Sequence, residues 1–238
     1  MPKNIKYSSR GCCIEPTSDF SNLCDKHNLN IDGKIVLLTR NNADVIEKLL
    51  KDDNTYIPFA KIVFDSFEKN AVMENKNKAL FIVAREIDRD NNTNAWRYNK
   101  NHDSFNNMIK YISNKNNKFF ERLNSGDQTL PDDIVEKCGT GVKSLSSKIC
   151  KYLCEYIYNK DNFYINDSVV RNMLLFYLDY YGVKHPKLKS IYGVDNLKYS
   201  DYYELLSKLH TERNSKHKDS ITKSELDHII WYCYKSFK

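Results

Sequence analysis

Leu130 to Tyr158 read LPDDIVEKCGTGVKSLSSKICKYLCEYIY. Pro131 stands where a helix tolerates a missing N–H, and Asp132 and Asp133 follow where the positive end of the helix dipole favours carboxylates. Ile134 and Val135 to Cys138 complete a short helix, which Gly139-Thr140-Gly141 stops. Ser144 can cap a second helix whose apolar face takes Leu145, Ile149, Tyr152, Leu153 and Ile157 and which ends near Asn159.

Outward from this unit the chain keeps reading as helix. Upstream, between Lys34 and Ser125, there is no glycine and only one proline, Pro58. Apolar residues recur there at three- and four-residue spacing: Val45, Ile46, Leu49 and Leu50; Phe59, Ile62, Val63 and Phe67; Leu80, Phe81, Val83 and Ile87; Phe105, Met108, Ile109 and Ile112. These are amphipathic helices separated by polar breaks. Ile35 to Thr39 reads either as a short strand without an identifiable partner or as a helix start. Downstream, Asp161 to Ile165 form an extended link, and Asn166 or Asp167 opens a helix through Val169, Val170, Met173, Leu174 and Tyr177 that Tyr181-Gly182 closes. Pro186 and Gly193 mark a looser connection before two last helices, about Asp201 to His210 and Ser220 to Phe237. The fold class is all-α.

The 238 residues carry 37 Lys+Arg against 31 Asp+Glu, a net charge of +6, with 41% hydrophobic and 29% charged residues. Such a composition buries a core and argues against disorder or a disulfide mini-scaffold. No apolar run reaches the roughly 18 residues that span a bilayer, and Met1 to Arg10 is polar, so a soluble, cytoplasmic protein is expected. Seven cysteines without ligand spacing suit a reducing compartment. Cys150 and Cys154 lie at i,i+4 but lack a matching His or Cys pair, so they read as buried small side chains, and no metal site is expected. Residues 139–238 hold +5 of the net charge, a modest bias that suits either a polyanionic partner or a solvated basic face.

A short helix, a Gly-x-Gly hairpin, a second helix beginning with Ser and Lys, and an Asp about twenty residues on resemble the helix-hairpin-helix DNA glycosylases, most closely the 8-oxoguanine glycosylase/lyase branch. The matching residues are Gly139 to Lys143, Ser144 to Lys148 and Asn166 to Arg171. The resemblance covers about 45 residues, and it implies a two-lobed helical bundle with a cleft between the lobes. Residues 35–158 would form a central lobe ending in the helix-hairpin-helix at 131–158, and residues 1–34 and 159–238 the second lobe, all in one compact unit. It also implies a monomer that removes a damaged or modified base from double-stranded DNA, with AP-lyase activity and no cofactor.

The residue types fit that chemistry. Backbone N–H groups of a glycine hairpin approach a phosphate closely, aided by the positive end of the following helix; Gly139, Gly141, Lys143, Ser144 and Arg171 are the candidate DNA contacts. Breaking a glycosidic bond builds positive charge on the sugar, which a carboxylate stabilises, and Asp167 is the candidate. A lysine amine that attacks C1′ displaces the base and leaves a Schiff base open to β-elimination. The target base first leaves the stack.

Two lysines compete for that role. Lys143 fits the Gly-x-Gly-x-Lys pattern but precedes Asp167 by 24 residues; Lys148 keeps the family's gap, at 19. Five residues apart, they lie on different helical faces, so one at most faces a shared pocket. Lys148 is favoured, because the reaction sets the Lys-to-Asp gap whereas hairpin length varies. The sequence departs from the family at Cys138, in place of a frequent Leu-Pro step, and at Val169, where many members have His. It also lacks a C-terminal four-Cys pattern, so no iron-sulfur cluster is expected. Plainer roles stand beside these: Asp167 as an N-cap, Lys148 as a solvated lysine, and most of the aromatics, including Phe176, Tyr177, Tyr180, Tyr181, Tyr202 and Tyr203, as core. Trp96-Arg97-Tyr98 reads as a base-stacking loop or as a loop anchored by one buried Trp. Two other functions fit the same residues: a hairpin DNA-binding module without catalysis, and a helical protein-interaction domain.

Overall fold

A computed structural model describes residues 18–52, 59–93, 95–96, 102–185 and 197–235. In chain order its elements are α1 (Ser18–His27), β1 (Ile31–Asp32), β2 (Ile35–Val36), α2 (Arg40–Asp52), α3 (Phe59–Asp65), α4 (Lys69–Met73), α5 (Ala79–Asp90), α6 (His102–Ser113), α7 (Phe119–Ser125), α8 (Leu130–Cys138), α9 (Lys143–Tyr158), α10 (Ser168–Tyr180), α11 (Tyr199–Lys216) and α12 (Lys223–Tyr234). The described residues are mostly helical, as the apolar periodicity predicts. None of their helices is long and apolar enough to cross a membrane. The expected link at Pro186 and Gly193 and the end of the last helix at Phe237 lie outside the described residues.

The chain divides into two compact units, Met1–Tyr56 with Asn166–Lys238, and Ile57–Ile165. The division therefore falls after Tyr56 and Ile165 rather than at 35 and 158. α2 belongs with the chain ends because it packs on α12, burying Ala43, Ile46 and Leu50.

In the first unit, Ile35 and Val36 do find a strand partner. They pair antiparallel with Ile31 and Asp32 across a turn at Gly33, whose φ of +59° suits a residue without a Cβ. A two-residue ladder satisfies little backbone, so side chains supply the rest. The Val36 N–H donates to the Tyr234 hydroxyl at 2.9 Å, and the Val36 carbonyl accepts from the Tyr177 hydroxyl at 2.7 Å. The Leu38 N–H donates to the Tyr181 hydroxyl at 3.0 Å, and the Leu38 carbonyl accepts from Arg213 Nε. Burial pushes the Tyr177, Tyr181 and Tyr234 phenols up, so each stays protonated at neutral pH. Asn42, fully buried, donates to the Asn30 and Leu37 carbonyls at 2.8 and 2.7 Å and accepts from the Asn30 N–H at 2.8 Å.

Arg213, also fully buried, reaches the loop before α12 by donating to the Asp219 carbonyl at 2.6 Å. Arg40 bonds Asp44 and Glu225, and Glu225 closes a capping box with Thr222 at the start of α12. The second unit packs α3 on α5, α6 on α8, and α5, α7 and α8 on α9.

Two outcomes are expected. Asn42→Ala removes the acceptor of the Asn30 N–H and one donor from each of the Asn30 and Leu37 carbonyls, which keep bonds from the Leu37 and Thr39 N–H groups, so it should lower stability by about 1–2 kcal/mol, read as a lower urea midpoint at unchanged slope. For Glu225, desolvation alone would push the carboxyl up, but bonds from Arg40 and Thr222 outweigh it and hold the group below its ordinary 4.5. A depressed carboxylate stabilises the fold above its unfolded pKa, and that contribution disappears as pH falls through the folded value. Glu225→Gln should therefore be less stable at pH 7 and lose less on acidification below pH 4.5; parallel acid limbs for variant and parent would refute this.

Candidate functional site

Arg122 on α7 fixes the approach to the hairpin. Its guanidinium bonds Asp127 at 2.7 Å, Asp133 on α8 at 2.6 Å, the Thr129 hydroxyl at 3.1 Å and the Tyr111 hydroxyl of α6 at 3.2 Å. One planar cation thus sets three helices and the first turn of α8, where Pro131, Asp132 and Asp133 stand as their types demand.

α8 ends at Cys138 and Gly139 turns the chain, with φ +100° and ψ 161°. A Cβ there would lie 2.8 Å from the Ser104 Oγ of α6, so both conformation and space call for glycine. A 3₁₀ turn over Thr140–Val142, which contains Gly141, leads into α9. The tight turn makes Val142, not Ser144, the residue before the helix, and Val142 offers no side-chain acceptor. Ser144, expected as the cap, is the second residue of α9. Thr140, Lys143 and Ser144 are exposed around the first turn, where backbone N–H groups meet the positive end of a 16-residue helix.

α9 separates the two candidate lysines. Lys143 is exposed, whereas Lys148 is only 4% exposed and donates to the Ser144 hydroxyl one turn back at 3.2 Å. A third lysine went unanticipated: Lys151, equally buried, pairs with Glu155 at 2.7 Å and with Asp161 beyond the helix end. Desolvation would push the Lys151 amine down, but the two carboxylates outweigh it and raise it. The i,i+4 spacing of Lys151 and Glu155 was the available signal.

Asp167 and Arg171 lie in the other unit. Asp167 is the N-cap of α10, its Oδ1 accepting from the Val169 N–H at 2.7 Å, and its carbonyl accepts from the Arg171 N–H at 3.0 Å. Both side chains are half-buried. Gly139, Gly141, Lys143, Ser144 and Lys148 thus share one helix-turn-helix, and Asp167 and Arg171 share one helix start. The unit boundary at Ile165 cuts through the basic C-terminal hundred residues, and by residue count each unit carries +3.

The remaining candidates resolve simply. Trp96 stacks on His102 with centroids 4.5 Å apart and meets Phe81 and Phe105 edge-on. Its loop is organised by buried Asp88, which accepts from the Ala95 and Trp96 N–H groups at 2.8 and 3.0 Å and from the Thr93 hydroxyl. Arg97 and Tyr98 lie outside the described residues. Tyr177, Tyr181, Tyr202 and Tyr203 are buried, and Phe176 and Tyr180 are half-buried. Cys150 and Cys154 are fully buried free thiols. Among the described residues no cluster of three His, Cys, Asp or Glu could hold a metal. Comparison with protein-family models, curated proteins and solved structures returned no match.

Gly139→Ala should cost about 1–3 kcal/mol, since it combines strained backbone with a clash. Relieving the clash with Ser104→Gly should recover only part of the loss, because the positive φ persists. Full recovery in the double variant, measured by thermal unfolding, would show that the strain is purely steric.

Proposed function

We propose that this chain is a helix-hairpin-helix DNA glycosylase with AP-lyase activity, built on the two-lobed plan of that superfamily and acting on an 8-oxoguanine-like base in double-stranded DNA. The observation that carries the reading is the contrast along α9: an exposed Lys143 at an uncapped helix start and a Lys148 buried a turn and a half further in. The outer groups suit a backbone phosphate. The inner amine suits an electrophilic carbon held away from bulk water.

In this mechanism the N–H groups opening α9, with Lys143, hold a phosphate while the target nucleotide leaves the stack. Lys148 attacks C1′ as the glycosidic bond breaks, and the bonding pair leaves with the base. The resulting imine with the opened sugar permits β-elimination.

A DNA-binding module without catalysis is the second reading, favoured by the commitment of Asp167 Oδ1 to capping α10. Borohydride reduction in the presence of duplexes carrying 8-oxoguanine, uracil or an abasic site separates them. The proposal expects a covalent adduct that Lys148→Gln abolishes and Lys143→Gln retains. Lys143→Gln should instead weaken duplex binding across all sequences and lower the salt slope by about one. Salt-dependent binding with no adduct on any duplex would favour the second reading, and an undiminished adduct in Lys148→Gln would remove the assigned nucleophile.

A further inference from the structure

We infer that Ser144 is a positioning residue for Lys148, serving as the proton relay between that buried amine and solvent; the inference rests on the glycosylase reading above. Three observations meet at this pair. The Lys148 Nζ donates to the Ser144 Oγ at 3.2 Å. Lys148 is 4% exposed, whereas Ser144 is an exposed residue in the first turn of α9. Spacing of four residues stacks the hydroxyl directly over the amine on one helical face, so the helix itself sets the contact.

A lysine stored as ammonium is not a nucleophile until it loses a proton, and a buried ammonium needs a route for that proton. A hydroxyl suits the purpose because it has one donor and two acceptor lone pairs, so it accepts from an ammonium and donates to a neutral amine alike. A carboxylate there would instead hold the proton on the amine, as Glu155 and Asp161 do for Lys151.

In the relay, an ammonium N–H proton passes to Ser144 Oγ as the hydroxyl proton passes to a water. The products are a neutral amine, a hydronium ion and an unchanged serine. Rotation about the Cβ–Oγ bond then frees the amine lone pair to form the bond to C1′. The glycosidic bond breaks with its electrons going to the base, which takes a proton from solvent. The arrangement also accounts for a serine at a helical position that does not cap the helix.

Single-turnover borohydride trapping on an abasic-site duplex at saturating DNA tests the relay. At saturating DNA, where affinity does not limit the rate, Ser144→Ala should slow adduct formation about tenfold or more, and Ser144→Thr, which keeps the hydroxyl, should restore the rate to within about twofold. An unchanged saturating rate in Ser144→Ala overturns the inference. So does a loss confined to affinity, which would leave Ser144 a phosphate contact, or a Thr variant as slow as Ala. Absence of any adduct in the parent protein instead fails the glycosylase reading and removes the relay with it. Because the Ala variant takes a partner from a buried amine, it should melt below the parent, and rates compared at a temperature where parent and variants are all fully folded separate loss of the relay from loss of fold.

Discussion

Lysine amines buried in a helix shape the second unit, because each ion withdrawn from water costs several kcal/mol unless partners replace its hydration. Lys151 answers that cost with Glu155 on its own helix and Asp161 beyond the helix end. The chain leaving α9 must therefore fold back on the helix, through Asn159 in a left-handed conformation with φ of 53°. Lys160 bonds the Asn124 carbonyl at 3.0 Å, and the Tyr158 hydroxyl donates to the Phe120 carbonyl at 3.0 Å, so the same exit is tied to α7. At the other end Arg122 fixes the entry to α8. With both flanks held, the turn at Gly139 has little freedom.

The first unit solves the complementary problem of polar backbone without enough ladder to satisfy it. The Lys34, Val36 and Leu38 carbonyls and the Val36 and Leu38 N–H groups are taken up by Tyr177, Tyr181, Tyr234 and Arg213, on or next to three helices distant in sequence. The short hairpin thus acts as a template against which those helices dock. Replacing such donors with apolar side chains would fill the volume but strand the backbone.

What the sequence disclosed and what it hid follow from one physical reason. Helices announce themselves through apolar residues at 3.6-residue period, so α2, α5, α6 and the α8–α9 pair were legible. α11 was expected over about 201–210 but runs from Tyr199 to Lys216, because its last buried position is Arg213. The buried residues Tyr202, Leu206, Leu209 and Arg213 keep one register, yet the last of them reads as surface in any count of hydrophobes. Asn42 in α2 and Lys148 and Lys151 in α9 are the same case: polar side chains in core register, buried because specific partners await them. β2 found its partner only four residues back, in a stretch too short and polar to look like a strand. The residue type of Ser144 favours a cap, but the cap position depends on whether the preceding turn is 3₁₀ or extended, which the type does not encode.

The charge of the chain gains meaning only at this scale. A net excess divided evenly between two units supplies weak general attraction for a polyanion and does not select a face. In the proposed reading, selection falls instead to a few groups at one helix start. Along α9 the five residues from Lys143 to Lys148 advance about 7.5 Å, from an exposed cation at a helix start without a side-chain cap to an amine excluded from water. In the glycosylase reading proposed above, a phosphate at the outer end would be held by charge and dipole together. In that reading the nucleotide carried inward would meet Lys148, an amine that is buried and bonded to the hydroxyl of exposed Ser144.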